Sequence, residues 1–227
     1  MKEWRLIVSG RDNAANNMSL DEALFLSTIS ESASPVLRLY GWALPSMTIG
    51  YFQKYSDFSS YKVPVVRRMT GGLSVAHGKD LSYCFVASRN DWPYVDDQER
   101  NYGALHTAIS TALNGIGINC DFFRGAVNAG KNFVCVKTFF PNDLVLNGKK
   151  ILGSCQRKRG NTLLVQGSIH LPGLMDRIDD LARNLSRAFA KEHNVNLVQI
   201  TLPEGTALAS KELSKNKYSA DSWNKKY

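Results

Sequence analysis

Two stretches of the chain repeat apolar residues at helical spacing, and between them lie short apolar runs of strand length. Residues 98–116 carry Tyr102, Leu105, Ile109, Leu113 and Ile116 on one helical face, with Gly115 and Gly117 placed to end the helix. Residues 175–192 repeat the pattern through Ile178, Leu181, Ala182, Leu185 and Phe189. A further helix is expected near 19–30, where Ser19-Leu20-Asp21-Glu22 reads as a capping box. A last helix is expected from Pro203-Glu204 to about Leu213, before a lysine-rich tail in which Trp223 is a docking anchor. Strands are predicted at 36–40, 47–52, 64–69, 81–87, 119–123, 132–137 and 162–171. Between them Asp143-Leu144-Val145-Leu146, then Asn147-Gly148, then Lys149-Lys150-Ile151-Leu152 reads as a hairpin, because Asn-Gly accepts the positive φ of a type I′ turn. Simple alternation along its second strand puts Lys150 and Leu152 on one face, Lys149 and Ile151 on the other. Strands in runs with few helices predict an α+β fold, not a regular βαβ alternation.

The 227 residues suffice for one sizeable core, so a single domain over 1–227 is expected. Hydrophobic residues make up 44% and charged residues 21%, which excludes a wholly disordered chain. No run approaches the ~20 apolar residues of a membrane span, and the charged N-terminus has no signal-peptide stretch. Cys84, Cys120, Cys135 and Cys155 show no CxxC spacing, so a reducing, cytoplasmic location is expected. The net charge of +8 calls for an acidic partner. No helix-turn-helix, zinc-finger, RRM or KH signature accompanies that charge, and neither nucleic acid nor membrane is expected as the partner. Walker, Rossmann, HExxH and GxSxG motifs are also missing. The four histidines have no metal-ligand spacing, so no metal site is expected; His106, on an amphipathic helix, reads as a surface or packing residue.

Three segments carry candidate chemistry. Arg67-Arg68-Met69-Thr70-Gly71-Gly72-Leu73-Ser74-Val75-Ala76-His77 places two glycines at a strand end, where backbone N–H groups can approach an anion or carbonyl and Arg68 can grip a carboxylate or phosphate. A tight turn flanked by surface arginines gives the same pattern. In the hairpin, an inward Lys150 beside Gly153 can polarise an acyl carbonyl, whereas an outward one is merely solvated. Cys135 is suited to carry an acyl group between a thioester and an amine, with Lys137 or Lys150 lowering its pKa; a buried structural cysteine is the other reading. Cys155, four residues before Arg159, reads as a small core residue.

Together these segments resemble the lipoate–protein ligase/octanoyltransferase family, whose catalytic fold is shared with biotin protein ligases. Asn17-Met18-Ser19-Leu20-Asp21-Glu22-Ala23 is similar to the family's NMALDEA helix. Residues 37–42 and 49–53 are similar to its lRfYgW…lslGyfQ strands, and residues 67–77 to its RRpTGGravlH loop. Lys150-Ile151-Leu152-Gly153-Ser154-Cys155-Gln156 matches KivGSAQ, and Gln166-Gly167-Ser168-Ile169 matches qHGSil. The chain departs from these patterns at Leu73, at Gly78 (commonly Asp), at Gln166 (commonly His) and over residues 136–141.

The resemblance implies a mixed, largely antiparallel sheet with packed helices, the biotin/lipoate protein ligase fold, similar to class II aminoacyl-tRNA synthetases. It implies a pocket for a lipoyl or octanoyl group, with Lys150 as the family's lysine. Arg68, Gly71, Gly72, Leu73, Ser74, Val75, Ala76, His77, Gly153, Ser154, Gln156, Gly167 and Ser168 are the implied substrate-binding residues. Cysteine-dependent octanoyltransferases of this family place their cysteine thirteen residues before the hairpin glycine, as Cys135 stands before Gly148. That implies octanoyl transfer from acyl carrier protein through Cys135 to a lysine of a lipoyl domain or glycine-cleavage H protein, with no cofactor. The alternative is a lipoate–protein ligase catalytic subunit using ATP and Mg, with a separate accessory protein, since no C-terminal accessory domain is expected within 1–227.

Overall fold

The computed structural model describes residues 1–31, 33–125 and 138–227. Its frame is an eight-stranded sheet of order β11-β1-β2-β6-β10-β9-β8-β7. β1 (Lys2–Asp12) runs parallel to both β2 (Val36–Trp42) and β11 (Val195–Gln199). All other pairings are antiparallel, through β6 (Leu81–Ser88), β10 (Thr162–Ile169), β9 (Lys149–Arg159), β8 (Leu144–Leu146) and β7 (Asp121–Phe122). The α+β expectation of a mixed, largely antiparallel sheet with packed helices therefore holds.

Both faces of the central strands are covered, so β2 is buried along its whole length and carries little of the polar alternation of a one-sided strand. Leu37, Leu39, Leu81, Tyr83 and Phe85 face a core completed by α2 (Gln98–Asn114) and α3 (Ile178–His193). Val36, Tyr40, Cys84, Val86 and Leu164 face the other core, against α1 (Ala14–Glu31). On this second side a small sheet of order β4-β3-β5 joins the frame, from β3 (Ser46–Ile49), β4 (Val65–Arg67) and β5 (Val75–His77). Asp97 caps α2 by accepting from the Arg100 amide, and Gly117 leaves it with φ +82°.

Helix α1 starts earlier than the capping-box reading. Asn13 Oδ1 accepts from the Asn16 amide at 2.9 Å and begins the helix, while Ser19 lies inside it and donates to the Asn16 carbonyl. The hairpin is as expected, with Asn147 at φ +50° and Gly148 at φ +72°. A bulge at Ile151 breaks the simple alternation, since Leu144 pairs with Leu152 and Val145 with Lys150. Ile151 and Leu152 consequently enter the same core. The expected strand at 132–137 lies outside the described residues.

The tail docks as predicted. Helix α4 (Glu204–Leu213) leads through a π-helical turn (Ser214–Tyr218) into α5 (Asp221–Asn224). Trp223 Nε1 donates to the Arg67 carbonyl, and buried Arg67 donates to the carbonyls of Gly50, Tyr51, Gln53, Trp223 and Asn224. One guanidinium thus ties the C-terminal segment to the small sheet.

Candidate active site

Between the small sheet and β2, β6, β10 and β9 lies a cavity of about 710 Å³, its open mouth included. Met18, Tyr40, Trp42, Leu73, Val75 and Phe140 give it a largely apolar wall. Of the residues singled out above, Arg68, Gly72, Leu73, Val75, His77, Lys150, Gly153, Ser154, Gly167 and Ser168 line it. Gly71 and Gln156 line an adjoining, more open cavity that shares Gly72, Phe140, Ser154 and Cys155 with the first. Ser74 is buried beside these residues and Ala76 is exposed; neither lines either cavity. Cys135 and Lys137 lie outside the described residues.

The double-glycine loop closes tightly on the strand behind it. A Cβ on Gly50 would sit 1.9 Å from the Gly72 carbonyl oxygen, and Gly72 itself has φ +90°. Position 50 must therefore be glycine for the loop to reach the cavity, and position 72 favours it. Arg68 holds the loop from within. Its Nη1 donates to the Thr48 carbonyl and hydroxyl, its Nη2 to the carbonyls of Gly71 and Leu73, and its Nε to Thr70 Oγ1. Those bonds use all five guanidinium N–H groups. Arg68 thus braces the loop against the small sheet.

Lys150 enters from the hairpin, only 7% exposed. Its side chain crosses Gly153, where a Cβ would lie 2.6 Å from both Cε and Nζ. Nζ meets Asp143 Oδ2 at 2.6 Å and the Thr138 carbonyl at 2.9 Å. Burial raises the Asp143 pKa, with the ammonium pulling the other way. The inward reading of Lys150 is the one the fold adopts. Asp143 was not singled out by the sequence; its place just before the hairpin, opposite a buried lysine, was the available signal.

His77 stacks on Trp42, ring centroids 3.7 Å apart. Its Nδ1 lies 2.7 Å from Asp80 Oδ2 and its Nε2 lies 2.8 Å from Thr48 Oγ1. A carboxylate only accepts, so Nδ1 carries the proton and Nε2 accepts from the threonine hydroxyl. Burial lowers the His77 pKa and outweighs the opposing pull of Asp80. For Asp80, burial works upward, yet the bonds from His77, Ser168 and the Gly78 amide hold its carboxyl well below the usual range. Where relatives of the resembled pattern commonly have Asp at position 78, Asp80 supplies a carboxylate two residues on. Gln166, standing for the common histidine, is also fully engaged: it donates to Asp21 Oδ2 at 2.7 Å and accepts from Thr70 Oγ1 at 2.8 Å. Asp21 in turn pairs with buried Arg38 at 2.7 Å and accepts from Tyr40. This chain of contacts joins α1, β2, β10 and the double-glycine loop.

Two residues depart from their sequence readings. His106 is 1% exposed, with Nδ1 2.5 Å from the Asn142 carbonyl and Nε2 2.7 Å from Ser154 Oγ, which also meets the Tyr83 hydroxyl. A buried donor to a carbonyl beside the Lys150 partner is more than packing, and burial lowers its pKa to about 4. Cys155 is half-buried, not core: it lines both cavities, its Sγ 3.1 Å from Thr70 Oγ1.

Fold and cavity define a class: an α+β domain with a largely apolar pocket, a buried lysine in its wall and a double-glycine loop beside it. Residues 13–201 match the lipoyl protein ligase A/B catalytic domain, and the chain belongs to that family. It is 32% identical to the octanoyltransferase LipM of Carboxydothermus hydrogenoformans over 184 residues, 78% of this chain and 68% of that one. Over 272 residues, covering 100% of both chains, it is 28% identical to the octanoyltransferase LipM of Clostridioides difficile. Among solved structures, a lipoate-protein ligase A bound with ATP superposes with a TM-score of 0.78 at 23% identity, covering 98% of each chain. The bipartite lipoate protein ligase of Thermoplasma acidophilum gives 0.73 at 22%, covering 99% and 97%. These two likenesses show the shared fold. No helix among the described residues is long and apolar enough to cross a membrane.

Proposed function

We propose that this chain is a cytoplasmic protein octanoyltransferase acting in protein lipoylation. The observation that carries the reading is the apolar cavity with Lys150 in its wall, in a chain whose relatives are named octanoyltransferases. The Cys135 thiolate attacks the octanoyl thioester of acyl carrier protein, the carrier C–S bond breaks, and the carrier leaves as its thiolate. The lysine amine of a lipoyl domain or glycine-cleavage H protein then attacks the enzyme thioester. An amide forms, the C–S bond breaks, and the amine proton leaves with the regenerated thiol. Lys150 and the backbone N–H groups near Gly71, Gly72 and Gly153 stabilise negative charge on the carbonyl oxygen in both steps. Leu73, Val75 and the other apolar side chains of the cavity wall hold the alkyl chain. This route needs no metal and no bound cofactor.

The ligase alternative, with ATP, Mg and a separate accessory subunit, places phosphate on Arg68 and Lys150. The commitment of all five Arg68 donors to its own small sheet and loop weighs against it.

The test is transfer to a purified lipoyl domain followed by mass spectrometry. Octanoylation from octanoyl carrier protein without ATP is expected. Modification only from free acid plus ATP and Mg, with none from the carrier thioester, would replace this reading by the ligase.

A further inference from the structure

Outside the cavity, one motif of the sequence has no role in the site just described. Tyr51 and Phe52 belong to the segment resembling lslGyfQ, yet Phe52 is 74% exposed. It packs edge-on against Tyr51, centroids 4.8 Å apart, and lies 6.3 Å from Tyr227, itself 46% exposed. Cations surround this aromatic group. The Arg157 guanidinium stands over the Tyr51 ring at 5.3 Å, and Lys226 Nζ stands over the same ring at 4.9 Å and bonds its hydroxyl at 2.8 Å. Arg159 continues the row on β9 and is exposed, as are Arg157 and Lys226. The acids beside them are already paired, Glu22 with Lys217 and Asp221 with Lys225. An exposed aromatic knob within a positive rim is the make-up of a protein-binding hot spot, in which aromatics and arginine dominate.

The patch adjoins the cavity. Gly153 and Cys155 line the cavity from β9, and period-two alternation puts Arg157 and Arg159 next on that same face. One strand therefore leads from the cavity wall to the patch in two residues, roughly 7 Å. The Tyr51 amide bonds the Thr70 carbonyl directly before the double-glycine loop. The adjoining, more open cavity is bordered by Glu99 and Gln98, and no such cluster of cations lines it among the described residues.

The geometry points to the Phe52–Arg157–Lys226 patch as the docking surface for the acidic protein that delivers the acyl thioester. This inference rests on the transferase reading. The cationic rim and the +8 net charge complement an acidic surface. The position beside the mouth, not around it, selects the acyl donor over the acceptor. A thioester carried on a long flexible arm reaches a mouth some distance from where its protein docks, whereas a lysine side chain must bring its own domain over the opening.

The experiment measures kcat/KM with two octanoyl donors, octanoyl carrier protein and the small thioester octanoyl-N-acetylcysteamine, for wild type, Phe52→Ala, and Arg157→Glu/Lys226→Glu. Each variant is expected to lose 10- to 100-fold with the carrier and less than twofold with the small thioester. The wild-type carrier rate should fall with added salt, and the charge-reversed variant should lose most of that dependence. Unchanged carrier kinetics overturns the proposal, and so does an equal loss with both donors, which makes the patch part of the site's structure. Loss confined to saturation by the lipoyl domain overturns it in favour of acceptor docking. A wild-type dimer that Phe52→Ala dissociates without altering carrier kinetics gives the surface to a second copy. Wild type inactive with both donors is the different result that overturns the transferase reading itself.

Discussion

Arg68 and Lys150 look alike in the sequence: each is a cation beside glycine in a motif, and each ends up buried on the same cavity. Their partners separate them. Arg68 is 4% exposed and, among the described residues, bonded to neutral groups of its own small sheet and loop, namely Thr48, Thr70, Gly71 and Leu73. Lys150 instead meets a carboxylate, Asp143, and a carbonyl from the chain that leads into the hairpin. An arginine whose five donors are matched one-to-one by fixed acceptors is a structural clamp. A lysine lying across a glycine at an apolar wall keeps a compact charge next to the place where an acyl carbonyl would lie. The motif letters alone do not distinguish these roles; the acceptors do.

The largest effect that would break this contrast is on Lys150. Lys150→Met is expected to cut octanoyl transfer by about 10²–10³-fold, the scale of a lost oxyanion-type donor. It also leaves Asp143 unpaired in the interior, which costs about 3–5 kcal/mol of stability. In Lys150→Met/Asp143→Leu the second loss should largely recover while activity does not, read by urea unfolding beside turnover. Recovery of both would reduce Lys150 to a structural ion pair.

Arg68→Met should show the opposite balance. Three carbonyls, buried or part-buried, and two hydroxyls lose a donor, at an expected cost of about 3 kcal/mol, or roughly 6–12 °C in Tm for a chain of this size. Turnover per folded molecule should fall less than tenfold with the carrier donor. A Tm within 2 °C of wild type and a hundredfold loss of activity would exchange the roles assigned to the two cations.

His106 anchors the Lys150 side, and its burial makes that side pH-sensitive. Its folded pKa of about 4 lies below the unfolded value of 6.5, so between those values the unfolded chain binds more protons and stability rises with pH. As pH falls from 6.5 toward 4, wild type is expected to lose about 3 kcal/mol through this residue. In His106→Gln the slope over that window should be shallower, measured by denaturant titration at several pH values. An identical slope would place the imidazole outside the buried network. The smallest effect is expected for Cys155→Ala: a threefold change in turnover at most, since this thiol lines the cavity beside Thr70 but is not the proposed acyl carrier.

Most of what the sequence revealed depends on local rules. The Asn-Gly turn, the two periodic helices and the double-glycine loop are specified by residues next to one another, and each stands where its pattern put it. Strands β1, β5 and β11 went unseen. β1 is held by parallel partners at both edges, β5 has only three residues, and β11 is an edge strand; long-range pairing, not local pattern, makes them strands. The site follows the same division. Lys150 was legible from its motif, but Asp143 becomes its partner only when the hairpin bulges and folds over the cavity. Cys155 was misread because β9 outruns its hairpin to Arg159, so residues beyond Gly153 wall a pocket instead of entering the core. His106 was misread because an amphipathic face looks the same whether it meets a purely apolar core or a polar network inside one.

The central claim is that the octanoyl group passes through a thioester on Cys135. Intact-protein mass spectrometry after mixing the chain with octanoyl carrier protein, without ATP, tests it most directly. The account predicts one hydroxylamine-sensitive octanoyl adduct on wild type and on Cys155→Ala, and none on Cys135→Ala. An adduct that survives in Cys135→Ala and disappears in Cys155→Ala, or no adduct on any of the three, would contradict it.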